Sequence, residues 1–171
     1  MRAALPAAAL LALLAPFPPA AAQHAAQHGA PAQEGGVPAV TLSGQVRQPR
    51  TLTLADLQAL PAVTVQASAM SANGPRQAAY TGAALWPLLQ EAGPVDEPGR
   101  ATQHRHTLLA QGRDGYAVAL AFGEMDPHLE GKQVLIATAQ DGQPLPAPRL
   151  VVPGDAHAGR AVRALVRIEV R

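Results

Sequence analysis

The chain has 171 residues, 48% of them hydrophobic, with 13 basic and 12 acidic side chains and no cysteine. A near-neutral chain has no excess of Lys and Arg for phosphate backbones or anionic surfaces, which argues against nucleic acid as a partner. Without cysteine there is no disulfide, lipid-modified cysteine, thiolate metal ligand or thiol nucleophile, so the fold must stand on its hydrophobic core.

Arg2 precedes an uncharged stretch from Ala3 to Ala22, with an apolar centre at Ala7 to Ala15 and a small-residue exit at Ala20-Ala21-Ala22. This is the pattern of a signal peptide over residues 1–22, which predicts a periplasmic or secreted protein with no membrane span after cleavage; a retained anchor is the alternative. The apolar run falls short of the roughly 20 residues a spanning helix needs, and Pro16, Pro18 and Pro19 interrupt it. Loss of Arg2 leaves 12 basic residues against 12 acidic ones. Residues 23–36 are rich in Ala, Gln, Gly and His without an apolar period, and read as a disordered linker. His24 and His28 have no carboxylate or thiol beside them to complete a firm metal site. Residues 37–171 have the length of one domain.

Val40, Leu42 and Val46 around Gly44 predict a strand closed by Pro49. Thr53 to Asp56 has capping-box spacing, with Leu54, Leu57, Ala59 and Leu60 giving a short helical face that Pro61 ends. Val63 and Val65 predict a second strand, Ser68 to Gln77 a loop carrying the Asn73-Gly74-Pro75 turn signal. A second helix is expected from Thr81-Gly82 through Leu85, Trp86, Leu88 and Leu89 to Gly93, with Pro87 in its first turns. Thr107 to Ala110 and Tyr116 to Ala121 read as a hairpin around Gly112 to Gly115, and Phe122 to Met125 as a helical turn. Val134 to Ala139 reads as a strand before the Asp141-Gly142 turn. Leu150 to Val152 follows, then a long final strand in which Val162, Ala164, Val166, Ile168 and Val170 alternate with Arg163, Leu165, Arg167 and Glu169. Short helices and no βαβ rhythm place the fold in the α+β class, built on mixed, mostly antiparallel sheet.

In order and spacing, the segments Gly44-Gln-Val46 with Pro49, Leu52 to Leu57, Tyr80-Thr-Gly82 with Leu85 to Leu89, Asp114-Gly-Tyr116, Asp141 to Pro146, Arg149-Leu-Val-Val-Pro-Gly154 and Gly159 to Ile168 resemble the molybdopterin-binding domain of the sulfite oxidase family. The resemblance covers Val37 to Arg171. It implies a mixed-sheet domain whose edge loops hold a pterin, its phosphate and molybdenum. It also implies a cysteine ligand on the loop after the strand matching Val63 to Ser68, and here Ala67 to Gly74 contains none. A soft thiolate is not replaced by Ala or by a hard, protonated Ser hydroxyl, which argues against molybdenum. Larger members carry a His-Gly pair before the Arg-x-Val-Val-Pro-Gly segment, where this chain has only Ala147 and Pro148, and sulfite oxidases append a dimerisation domain beyond the last strand.

A pterin is flat and edged with donors and acceptors, so it is bound by stacking and by pairing its edges. Arg149 and Arg163 offer planar forks of donors for a ring carbonyl or phosphate. Arg160 matches a cofactor-contacting stretch of the family and suits a phosphate. By alternation alone Arg163 also lies on a solvated sheet face, which it shares with Arg167. Asp114 suits pterin N–H groups or a purely local turn. Tyr80, Trp86 and Tyr116 supply aromatic faces for stacking, Trp86 being equally suited to the core, and His157 lies on a loop within reach of a ligand. No catalytic residue stands out.

Three functions compete. The first is a non-catalytic periplasmic module that binds a pterin, as molybdopterin or a free pterin, and reports to an inner-membrane signalling protein. The second is a molybdopterin-dependent oxidoreductase of the sulfite oxidase type. The third is a metal-binding protein using His24, His28, His104 and His106, of which the last two share one side of a strand by the period of two.

Overall fold

The computed structural model describes residues 38–96, 98 and 102–171, so the leader and linker expected at residues 1–36 lie outside the described residues. Alternating apolar residues build the first sheet. In β1 (Ala39–Gly44) Val40 and Leu42 face inward, and the strand pairs antiparallel with β2 (Arg50–Thr53). Its other edge runs parallel to β9 (Leu165–Val170), which is followed across the sheet by the antiparallel hairpin of β5 (Thr107–Gly112) and β6 (Ala117–Ala121). The second sheet is antiparallel throughout, in the order β3 (Ala62–Ser71), β4 (Gly74–Ala84), β7 (Leu135–Gln140), β8 (Gln143–Val151). The α+β class and mostly antiparallel pairing are as the sequence predicts.

Helix α1 (Leu54–Ala59) starts on the expected capping box: the Asp56 N–H donates to Thr53 Oγ1 at 3.1 Å and the Thr53 N–H donates to Asp56 Oδ2 at 2.8 Å. Helix α2 (Leu85–Ala92) buries Leu85, Leu88, Leu89 and Ala92, and ends on the left-handed Gly93. Pro87 is its third residue, where no intrahelical acceptor is forgone. One core joins both sheets and both helices through Val40, Leu57, Leu88, Ile136, Leu150 and Ile168. A second, smaller cluster, with Ala69, Tyr80, Ala137 and Val151, covers the other face of the β3-β4-β7-β8 sheet.

Several expectations change. Ser68 to Gln77 is not a loop: Ser68 pairs with Gln77, Ala69 with Arg76, Met70 with Pro75 and Ser71 with Gly74. The Asn73-Gly74 signal marks a tight hairpin. Strand β4 continues to Ala84, so the second helix begins at Leu85 and not at Thr81-Gly82. The last strand begins at Leu165, because Ala164 adopts a left-handed φ of 43° and Val162 instead bridges Leu150 of the other sheet. Gln111 faces Arg167 and Gly112 faces Leu165, leaving Val166 as an extra residue. That bulge reverses the alternation, so Leu165 is buried along with Ile168 and Val170. Strand β8 starts seven residues before the expected Leu150, its early part hidden in sequence by Pro144, Pro146 and Pro148. Prolines are tolerated there because β8 is an edge strand and its ladder lapses between Pro144 and Arg149.

Candidate functional site

A cleft of about 340 Å³ opens on the outer face of the β3-β4-β7-β8 sheet, at the lower end of the small-ligand range. Tyr80, Gln140 and Arg149 floor it; Ala69 and Met70 of β3 form one side, and Ala158, Ala161 and Arg163 the other. The period of two carries Tyr80 to this face with Ala78. Gln140 arrives by a different device. Thr81 pairs with Ala139 and Gly82 with Ala137, so Thr138 is an extra residue in β7. Unbulged alternation would give Gln140 the inward direction of Ile136; the bulge turns it to face Tyr80, its direct cross-strand partner.

Arg149 is the centre of the floor. Its Nη1 donates to Gln140 Oε1 at 2.8 Å and to the Tyr80 hydroxyl at 3.3 Å, and its guanidinium carbon lies 5.8 Å from the Tyr80 ring centroid, within cation–π range. Tyr80 is only 2% exposed, so the guanidinium and not the ring presents to a ligand. Three groups thus fix one planar cation in the cleft, with its remaining N–H groups free to pair with a ligand edge.

The wall from Asp155 to Ala161 is tied down at several points. The Ser68 hydroxyl, nearly buried, donates to the carbonyls of Asp155 at 2.8 Å and Ala156 at 3.2 Å. The Tyr116 hydroxyl donates to the Gly159 carbonyl. Arg160 grips Asp155 through Nε at 2.9 Å and Nη2 at 2.6 Å, while Nη1 bonds both carboxylate oxygens of Glu124 at 3.0 and 3.2 Å. Lys132 completes the network, 3.1 Å from Glu124 and 3.0 Å from Glu130. The Arg160 guanidinium, against some desolvation, holds the Asp155 carboxyl below the usual carboxylate range. Burial pushes Glu124 up, but the Ala121 N–H, Lys132 and Arg160 together overcome it and lower the carboxyl. Arg160 itself is held more firmly protonated, chiefly by Asp155.

The structure brings Arg149 and Arg163 together in the cleft and separates the others. Arg160 is not free for a phosphate, because two carboxylates occupy all three of its nitrogens. Asp114 closes a local turn by accepting the Tyr116 N–H at 3.0 Å, and Tyr116 braces the wall with its hydroxyl. Trp86 packs edge-on against Phe122 at 5.2 Å and belongs to the core. His157 is exposed at the start of the Ala158–Arg160 turn and does not line the cleft. The Ala164 kink separates Arg163 from Arg167, which sits on β9. His104 and His106 do not share a side: His104 lies in a 3₁₀ turn with Nε2 3.1 Å from Asp126, whereas buried His106 places Nε2 3.2 Å from Asp96 and Nδ1 3.2 Å from the Arg171 carbonyl. Gln140, Ser68, Glu124 and Asp155 went unseen in the sequence. The bulge that delivers Gln140 leaves no composition signal, and the ion-pair partners of Arg160 stand 36 and 5 residues away along the chain.

The donor set fits the planar ring system of a molybdopterin, read by a guanidinium fork, and among the described residues it offers no thiolate to a metal. Ser68 already donates its proton to two carbonyls and is therefore a neutral hydroxyl, and neither Ala67 nor Ala69 has a donor atom. Residues 31–171 match the family described as oxidoreductase molybdopterin binding domain. Among solved structures, the sulfane dehydrogenase SoxCD from Paracoccus pantotrophus is similar with a TM-score of 0.61 and 23% identity, over 77% of this chain and 37% of that chain. That likeness is one of fold, and this chain spans well under half the length of its match. No curated protein matches the chain.

Proposed function

The chain belongs to the oxidoreductase molybdopterin binding domain family, and from that premise we propose that it binds a pterin in the Tyr80–Arg149 cleft without a molybdenum centre. In this proposal it works in the periplasm, to which the leader at residues 1–22 directs it, and reports occupancy to an inner-membrane signalling protein in place of oxidising a substrate. The observation that carries the reading is the contrast within one cleft: a guanidinium fixed by Gln140 and Tyr80 for a flat polar ring, beside a strand that lacks any thiolate. Arg149 matches ring carbonyl and ring nitrogen acceptors much as Arg reads two adjacent acceptors on guanine. Ligand contact by Arg149 contributes about 1.5–3 kcal/mol as a charge-assisted hydrogen bond.

Mass spectrometry of ligand extracted from exported protein, together with metal analysis, tests this. A fluorescent pterin with no stoichiometric molybdenum is expected, and Arg149→Met should lower its affinity about 10- to 100-fold. Molybdenum near one atom per chain, with turnover of sulfite or a sulfoxide, would establish the oxidoreductase reading instead.

A further inference from the structure

We infer that Met70 covers the ring of a ligand in this cleft and that oxidation of its sulfur by a peroxide loosens the cleft's hold, an inference that rests on the pterin-binding function proposed above. A flat heterocycle has faces to shield from water as well as edges to pair. The edges are met by Gln140, Arg149 and Arg163, all of which line the cleft. Among the described residues no aromatic side chain meets the faces. Tyr80 is 2% exposed beneath the Arg149 guanidinium, Trp86 and Phe122 pack in the core, and Tyr116 does not line the cleft. The rest of the lining is Ala69, Ala158, Ala161 and Met70. Of these Met70 alone is large and apolar, and it is 58% exposed. A thioether is flexible and polarisable, and it makes favourable contacts with ring systems.

The same exposure opens the sulfur to oxidants. Met125, the other methionine of the described residues, is 2% exposed in the core, and Met1 belongs to the leader. With hydrogen peroxide, the Met70 sulfur forms an S–O bond as the peroxide O–O bond breaks. The sulfur is oxidised to the sulfoxide, and the second peroxide oxygen is reduced and leaves as water. The product is polar where the thioether was apolar, so the ring loses its cover. The fold does not depend on this side chain: Met70 stands opposite Pro75 near the tip of the β3-β4 hairpin and belongs to neither buried cluster. Since a sulfoxide is reducible enzymatically, the change is a reversible setting of affinity by oxidant.

The test treats the exported protein with hydrogen peroxide, follows each methionine by peptide mass spectrometry, removes the peroxide and titrates 6-hydroxymethylpterin by fluorescence. Met70 should take up one oxygen well before Met125, more slowly with the pterin bound, and the oxidised protein should bind the pterin about three- to tenfold more weakly at an unchanged urea midpoint. Met70→Leu should keep the affinity within about twofold and lose the response to peroxide, while Met70→Gln should resemble the oxidised protein without treatment. Oxidised Met70 with undiminished pterin affinity overturns the inference and leaves the pterin reading intact. An equal loss of affinity in peroxide-treated Met70→Leu also overturns it, because another group would then be the sensitive one. If the untreated protein binds no pterin, the pterin reading falls and this inference with it.

Discussion

Gln140 has no charge and no reactive group, yet it sets the direction of the one guanidinium at the floor of the cleft. Its carbonyl oxygen accepts from Arg149 Nη1 at 2.8 Å, and the longer 3.3 Å contact to Tyr80 cannot hold the fork alone. A Leu at this position keeps the bulk and removes the acceptor. Gln140→Leu should therefore weaken pterin binding about tenfold, the equivalent of one hydrogen bond of ~1–1.5 kcal/mol, while the urea midpoint of the free protein barely moves. A titration beside an unfolding curve checks this, and equal affinity for both proteins would mean that Tyr80 suffices to orient Arg149. Arg149 itself was legible in the sequence, because a planar donor on an apolar strand has few other uses. Gln140 was not, since its facing depends on the unpaired Thr138 and no residue type announces a bulge.

At the scale of elements, the period of two found the β5–β6 hairpin, the capping box found α1, and the Pro87 to Gly93 punctuation found α2. Each of these signals is local. The failures share a cause as well: the start of α2, the extent of β8 and the start of β9 are set by neighbouring strands. Gly82 shows the difference. In sequence it resembled a helix start; in the structure it is a strand residue where β4 and β7 approach so closely that a Cβ would overlap the Ile136 carbonyl and the Ala137 Cα. Both obstacles are backbone, which cannot swing aside as a side chain does. Gly82→Ala should cost about 2–3 kcal/mol, read as a lower urea midpoint at unchanged slope. Because β7 carries Gln140 and pairs with the strand of Arg149, the same variant should weaken ligand binding. A variant of full stability would show that the two strands separate there freely.

Across the molecule, the Arg160 network joins three segments, the Phe122–Glu124 turn, the Lys132 stretch before β7 and the wall from Asp155, the first two of which are also tied by the Lys132 N–H donating to the Glu124 carbonyl at 2.8 Å. Its carboxylates titrate low in the folded chain, Asp155 because of Arg160 and Glu124 because the Ala121 N–H, Lys132 and Arg160 outweigh its burial, relative to ordinary values of 3.8 and 4.5. Asp141, bonded by Arg76 and the Ala79 N–H, and Asp126, bonded by the His128 N–H and His104, shift the same way. With native pKa values below unfolded ones, the unfolded chain binds more protons as the medium turns acid, so stability is complete above the unfolded values and is lost as pH falls through the native ones. The raised Arg160 value acts in the opposite sense, but its contribution is lost only in strong alkali and is constant through this window. The urea midpoint should accordingly be level from about pH 8 to 6 and decline from about pH 5 downward. Glu124→Gln with Asp155→Asn should make that decline shallower, and an identical decline in the variant would locate the acid-sensitive groups elsewhere. Since the same carboxylates hold the wall of the cleft, pterin affinity in the unaltered chain should fall over the same pH interval, ahead of global unfolding, as the wall loses its grip on Arg160.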